Sequence, residues 1–355
     1  MAVRAKDVAK ELGISPATLS LVVNERPGIS DTTRAKVLGL LKKKGYDYLI
    51  NSEKSSEPAD GVAAYTDRKN SATIGFVTYR KGGELLGYNS FFPMIIQGME
   101  NQARKSGYKL AYISMDAENS GEEVRFITDT NCCGIVLFAT EMHYSDLAVF
   151  EDLGLPTVVL DNNFFLKDTC SVSVDNRQGT FLAMKYLKNL GHRRVGYLRS
   201  KVAINSFDER FVEAVAAASQ LGMEDVNEYT YEIGYPVENA QNGMGKILER
   251  GLPLPTAFMA DNDLVAVGAM RAVREFGLKV PEDISFVGFD DRPICTICDP
   301  PLTTVQISKE DFGAEAIALL IRILDNEASE TPLNIKLAGQ LVERSSTGPC
   351  RIKMA

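Results

Sequence analysis

The sequence predicts an all-α helix-turn-helix headpiece joined to an α/β core of two doubly wound parallel-sheet lobes. Three observations carry this expectation. Residues 4–45 pack three short helical patterns and two tight turns into one polar-faced unit. A polar, Ser-rich segment, 51–72, then interrupts the aliphatic pattern. Beyond it, short apolar runs alternate with amphipathic stretches, the pattern of parallel sheets covered on both faces.

In the amino-terminal unit, Val8, Ala9 and Leu12 recur with helical period and Gly13 stops the helix. Ser15 caps a second helix, Pro16 takes its first position, and Leu19, Val22 and Val23 form its apolar face. Ser30 caps a third, carrying Ala35, Val37, Leu38 and Leu41 and closed by Lys42, Lys43, Lys44 and Gly45. The short Gly-containing turn between the first two helices fits a helix-turn-helix, whose second helix enters the major groove of DNA. It fits an ordinary helical hairpin as well.

The segment NSEKSSEPADGVAAYTDRKNSA reads as a linker. A first series of strands follows at IGFVTY (74–79), KLAYIS (109–114), GIVLFA (134–139) and TVVLD (157–161), with helices over 92–107, 121–130 and 144–153. A second series comprises SVSVD (171–175), RVGYL (194–198), an edge strand near YTYEIGY (229–235), TAFMAD (256–261) and ISFVGFD (284–290). Its helices fall near 177–190, 207–221, 238–250, 263–276 and 308–325. The expected boundaries are a headpiece over 1–50, a linker over 51–72 and a core over 73–355. Within the core, one lobe takes 73–172 and 308–328 and the other 173–305 and 333–349.

The formal net charge is −8, unevenly spread: residues 1–50 carry nine Lys and Arg against five Asp and Glu, leaving +4 there and −12 in the remainder. A small basic head on an acidic body suits nucleic-acid contact confined to the head. Arg4, Lys6, Asp7 and Lys10 interrupt any signal-peptide pattern, and no apolar run approaches the ~18 residues of a membrane helix. The expectation is a cytoplasmic protein with no membrane partner. Six scattered cysteines do not suggest a disulfide scaffold. Cys132-Cys133 adjoins an apolar run. Cys295-x-x-Cys298 has half-zinc spacing but no second pair nearby, and His143 and His192 are the only histidines, so no metal or cofactor is expected.

Polar groups gather where strands end, the place where open α/β sheets bind ligands. Asp161 ends TVVLD, Asn262 and Asp263 follow FMAD, Asp290 and Asp291 end ISFVGFD, Arg210 opens a helix, and Tyr235 ends a strand. Carboxylates, an amide and a guanidinium around one cleft offer paired hydrogen bonds to vicinal hydroxyls, with Phe91, Phe92 and Tyr235 as apolar faces for a sugar ring. Each has a structural alternative: Asp263 as a helix cap, Asp291 as a loop residue bonding backbone, Phe92 as core. An enzyme would use Asp161 and Asp290 as a glycosidase pair. No Ser or Cys sits on a nucleophile elbow, however, and His192 falls in a helix-to-strand turn. A purely architectural DNA protein would have no use for a two-lobed body with strand-end acids.

KDVAKELGISPATLS, VVN, ISDTTRAKV and KKGY, in this order and this close to the amino terminus, closely resemble the DNA-binding headpiece of the lactose-repressor (LacI/GalR) family. GHRRVGYL (191–198), Arg210 in DERFVEA, PTAFMADNDLVAVGAMRAVREFGLKVPEDISFVGFDD (255–291) and PPLTTV (300–305) extend the resemblance over nearly the whole chain. The resemblance implies a periplasmic-binding-protein-like core in which the chain crosses between lobes near Ser173, near Val305 to Ser308, and near Thr331. It implies a sequence-specific transcriptional repressor that binds double-stranded operator DNA as a homodimer, one headpiece to each half-site. Ser15, Pro16, Ala17, Thr18, Ser20, Leu21 and Asn24 would contact DNA. Phe91, Phe92, Asp161, Arg210, Tyr235, Asn262 and Asp290 would hold a small effector, a sugar acting as inducer. The alternative is the same type of regulator with a nucleobase or other metabolite as corepressor.

The sequence departs from the family pattern twice. Leu21 stands where many members carry an Arg that reads guanine. The hinge motif A-R-x-L is missing: its Arg and Leu fall on Glu53 and Ser55 counted from the headpiece, and the motif falls on Ala63-Ala64-Tyr65-Thr66 counted from the first strand.

Overall fold

The computed structural model describes residues 72–82, 92–164, 168–325 and 331–351, together with Ser15, Thr18, Val22, Ser30, Thr33 and 36–39 of the amino-terminal region. The chain divides into two compact units, Met1–Tyr65 and Thr66–Ala355.

In the first unit both expected caps are present. Ser15 Oγ accepts the Thr18 backbone N–H at 3.0 Å and lies 2.8 Å from its hydroxyl. Ser30 and Thr33 repeat the arrangement at 3.3 and 2.8 Å. These bonds satisfy N–H groups that a helix start otherwise leaves without partners. Val22 and Val37, apolar-face positions of the second and third helical patterns, are buried. Pro16, Ala17, Ser20, Leu21 and Asn24 lie outside the described residues, as do the hinge positions and Phe91.

The second unit holds two six-stranded sheets. The first contains β1 (Thr73–Arg80), β2 (Lys109–Asp116), β3 (Cys132–Phe138), β4 (Thr157–Leu160), β5 (Cys170–Val174) and β11 (Asn334–Leu337), in the order β11-β5-β4-β3-β1-β2 and parallel throughout. The second contains β6 (Val195–Arg199), β7 (Thr230–Glu232), β8 (Ala257–Ala260), β9 (Ser285–Asp290), β10 (Thr303–Gln306) and β12 (Gln340–Val342). Its order is β12-β10-β9-β8-β6-β7, and only β12 runs antiparallel. The central strands β1, β3 and β9 are buried along nearly their whole length, which is why they read as unbroken apolar runs rather than alternating ones.

The long helices are α1 (Phe92–Lys105), α2 (Asn176–Asn189), α3 (Asn205–Leu221), α4 (Val237–Glu249), α5 (Asp263–Glu275) and α6 (Lys309–Leu324). They pack as α1 with α6, α2 with α3 and α4 with α5. The α1–α6 contact is close enough that the backbones touch. A Cβ on Gly98 would collide with the Glu310 carbonyl, and one on Gly313 with the Ile95 carbonyl. One continuous apolar core joins the lobes, running from Val174 and Phe312 to Phe289 and Val305.

Two expectations are corrected. SVSVD belongs to the first sheet, because β5 pairs with β4 and β11, so the first crossing follows Val174. The third crossing falls at 338–339 rather than near Thr331, because Asn334–Leu337 still pairs with β5 before Gln340–Val342 joins β10. The second crossing, at 307–308 between β10 and α6, lies inside the expected interval. Gln178 ties the first crossing to the third. Its amide donates to the Gly339 carbonyl at 3.1 Å and its carbonyl accepts the Gly339 N–H at 2.8 Å.

Candidate functional site

Both sheets aim the carboxyl ends of their strands at one cavity of about 60 Å³. The first lobe contributes Phe138 at the end of β3, Thr140 beyond it, Asp161 after β4 and Val174 from β5. The second contributes Arg210, Asn262 and Asp290. Ile307 and Lys309, at the second crossing, line it too, so the hinge is part of the wall.

Arg210 organises the polar side. It is 4% exposed, and its Nε donates to Asn176 Oδ1 at 2.8 Å and its Nη1 to the Asp261 carbonyl at 2.6 Å. Its Nη2 faces Asp290 Oδ1 at 3.4 Å. The second oxygen of Asp290 lies 3.3 Å from Arg292 Nε, and its backbone carbonyl accepts from the Lys309 ammonium. One carboxylate thus sits among three cationic groups, the arrangement that keeps a buried charge tolerable.

Asp161, from the opposite lobe, accepts the Thr140 hydroxyl at 2.5 Å. Burial pushes its carboxyl up to about 6, against the opposing effects of that bond and of Arg210. Asp161, Asp290 and Asp291 all have positive φ, at 68°, 105° and 54°. Such backbone is uncommon outside glycine and clusters where the surroundings force a side chain into a functional position.

Asn262 caps α5, its Oδ1 accepting the N–H groups of Leu264 and Val265 at 3.1 and 3.2 Å. Its side-chain Nδ2 is fully buried with no hydrogen-bond partner among the described residues, and the residue lines the cavity. A buried donor left unmatched costs about 1–3 kcal/mol, so it marks a position where an acceptor belongs.

The residues around this shell brace it. Asp263 is not the cap. Its Oδ2 accepts the Arg292 N–H at 2.7 Å and its Oδ1 the Thr304 hydroxyl at 2.5 Å, tying the end of β9 to β10. Burial raises its pKa first, the Asp290 charge second. Asp261 accepts the Ser200 N–H at 2.6 Å, and burial pushes it up to about 7. Asp291 bonds side chains, accepting from Arg344 Nη2 at 2.6 Å and Gln306 Nε2 at 2.8 Å.

Of the expected effector residues, Asp161, Arg210, Asn262 and Asp290 therefore come together. Phe92 does not line the cavity. Its ring packs on Phe76 at 5.6 Å and against Phe138, which does, at 5.2 Å. Tyr235 is buried in the apolar core of the second lobe, because β7 ends at Glu232 and the chain has turned before it. Sequence reasoning missed Thr140, Arg292 and Lys309. Thr140 lies two residues beyond the end of β3, close to the strand-end position of Asp161, a signal the sequence did contain.

A two-lobed α/β unit with a cavity at facing strand ends is a periplasmic-binding-protein-like domain, and a model of that domain matches residues 184–347. The model for bacterial regulatory proteins of the lacI family matches residues 5–47. The transcriptional regulator MalR of Streptomyces coelicolor is 30% identical, covering 98% of this chain and 97% of its own length. The transcriptional repressor PurR of Pasteurella multocida is 29% identical over 96% of this chain and 97% of its own. Among solved structures, a lac repressor dimer bound to operator and the anti-inducer ONPF superposes with a TM-score of 0.69 at 24% identity, covering 98% of this chain and all of that one. The chain belongs to the LacI family of bacterial regulatory proteins and is a DNA-binding transcriptional regulator. Among the described residues, no helix is long and apolar enough to cross a membrane.

Proposed function

We propose that the protein is a repressor that binds operator DNA as a homodimer and is released from it by a sugar acting as inducer. The observation that carries the sugar reading is the composition of the cavity. Carboxylates from both lobes, Asp161 and Asp290, face one space with the Arg210 guanidinium, the Lys309 ammonium and the unmatched Asn262 amide. Acceptors and donors set into a largely apolar wall that includes Phe138, Ile95 and Phe312 suit a ring with hydroxyl groups on its rim and C–H bonds on its faces. Asp161 and Asp290 then act as binding groups rather than as an acid–base pair. The dimeric reading draws on the likeness to the lac repressor dimer and on the match between two-fold protein symmetry and palindromic DNA.

The test is calorimetry on the full chain against sugars, sugar phosphates and nucleobases, followed by operator binding with the best ligand. An inducer must prefer the DNA-incompetent state, so a bound sugar should weaken operator affinity by the factor by which operator weakens sugar affinity. A nucleobase that binds in place of every sugar, and tightens operator binding, would overturn the proposal in favour of corepression.

A further inference from the structure

A second concavity, of about 350 Å³, opens beside the first, and Ile204 lines both. It too is built from both lobes. Tyr144, Asn163 and Phe164 come from the loops after β3 and β4, and Asn205 and Asp208 from the first turn of α3. The first-lobe wall is held in shape from inside. The Asn162 amide donates to the carbonyls of Ala139 and Met142 at 3.0 and 3.1 Å, and its oxygen accepts the Asn163 N–H at 2.8 Å. The loops after β3 and β4 are thereby fixed to each other. Across the gap, Asp208 is ion-paired to Arg199 and the Asn205 amide reaches Glu209 at 3.4 Å.

The inner cavity alone falls well short of the roughly 300–1,000 Å³ usual for small-molecule sites, whereas the outer compartment beside it lies within that range. The outer one also repeats the chemistry of the inner: amides and a carboxylate around an aromatic, with Tyr144 47% exposed.

Resting on the sugar reading above, we infer that the effector is a disaccharide. Its inner ring meets Asp161, Arg210, Asn262 and Asp290, and its outer ring lies in the second compartment against Tyr144, Asn163, Asn205 and Asp208. Ile204 lies beside the glycosidic linkage. The outer compartment is the specificity site, because it separates a two-ring ligand from its own constituents. Each lobe contributes to both compartments, so a two-ring ligand bridges the lobes twice.

The experiment is calorimetry on the full chain with maltose, cellobiose, lactose, trehalose and sucrose against glucose, galactose and fructose, repeated on Tyr144→Ala and Asn163→Ala. The expected result is one disaccharide binding at least about tenfold more tightly than either of its monosaccharides. Tyr144→Ala should remove most of that excess, since an aromatic face contributes about 0.5–1.5 kcal/mol, a factor of roughly 2–10, while the weaker monosaccharide affinity persists. If a monosaccharide binds as tightly as every disaccharide and neither variant alters binding, the outer subsite is overturned and the sugar reading stands. Equal losses for one- and two-ring ligands in both variants would likewise overturn it, because the compartments would not be separate. If no saccharide of either size binds, the sugar reading itself fails and takes this inference with it.

Discussion

The guanidinium carbon of Arg210 lies 3.7 Å from the centroid of the Phe289 ring, so the side chain that faces the cavity is held from behind by an aromatic surface. A cation over a desolvated ring gains on the order of 2 kcal/mol. Phe289 immediately precedes Asp290 in β9, which also makes the Asp290 carboxylate face Arg210. One strand end thus supplies both the platform and the counter-charge.

Asp290→Asn should weaken binding of the effector roughly ten- to a hundredfold, because hydrogen bonds to a charged group contribute about 1.5–3 kcal/mol. Asparagine is the informative replacement. It tolerates the positive φ at this position, which alanine does not, so the loss reports on charge rather than backbone strain. Operator affinity without effector should persist. Calorimetry and a gel-shift titration read the two quantities, and unchanged effector affinity would place the ligand away from Asp290.

Asn262 has two separable duties. Asn262→Ser keeps a side-chain oxygen for the α5 cap but removes the amide donor, so stability should fall by only a few tenths of a kcal/mol. Effector affinity should drop about 2- to 10-fold, the value of one neutral hydrogen bond. Asn262→Ala should lose both, with a further ~1 kcal/mol of stability. Urea denaturation beside calorimetry separates the two; equal ligand affinity in Asn262→Ser and wild type would show that the amide does not meet the effector.

Stability of the core should increase as pH falls from 8 to 6.5. Asp261, at about 7, and Asp161, at about 6, bind protons more tightly folded than unfolded, where the value is 3.8. The folded state therefore gains protons first as pH is lowered, and unfolding becomes less favourable. Towards the lower end of that window and below it His192 opposes the trend, because burial keeps its imidazole neutral when the unfolded chain would protonate it. The urea midpoint across pH checks this, and Asp261→Asn should flatten the slope. A slope that Asp261→Asn leaves intact would assign the protons to other groups.

Gly98→Ala and Gly313→Ala should each destabilise the first lobe by about 1–3 kcal/mol or more, since each new methyl meets a backbone carbonyl rather than a yielding side chain. Gly121→Ala, with nothing within 4 Å, serves as the control and should be close to neutral. Denaturant midpoints compare the three.

In the headpiece, Leu21→Arg should shift the preferred base pair at one operator position from A·T towards G·C, because an Arg makes two hydrogen bonds to guanine where Leu offers only methyl contact. Selection from a randomised operator reads this directly. Identical preferences for both proteins at every position would mean that residue 21 does not face the groove.

Asp161, Asn262 and Asp290 were legible because each ends a run whose apolar residues reveal the strand, and strand ends point at the cleft by topology alone. Arg210 was legible through the resemblance, not through periodicity. Tyr235 misled for a local reason: β7 is only three residues long, so the aromatic beyond it belongs to a turn that folds back into the core. Strands β11 and β12 escaped notice because they are only four and three residues long and none of their residues is buried, too short a stretch for alternation to stand out. The lobe boundary was therefore drawn too early. Lys309 looked like an ordinary first-turn residue, and nothing in its neighbours shows that a crossing brings it under Asp290.

Because the chain passes between the lobes three times, the first lobe is not a contiguous stretch of sequence. Its opening strands leave the ribosome early, yet α6 and β11 are synthesised only after nearly the whole second lobe. At about 5–20 residues per second, the gap between β5 and α6 keeps one face of the first sheet uncovered for several seconds or more of translation. The second lobe, whose sheet lacks only its edge strand β12 by the time β10 emerges, is the part equipped to fold first. A nascent chain of this protein thus carries an incomplete early half until α6 and β11 arrive, an interval during which chaperones would have an exposed sheet to hold.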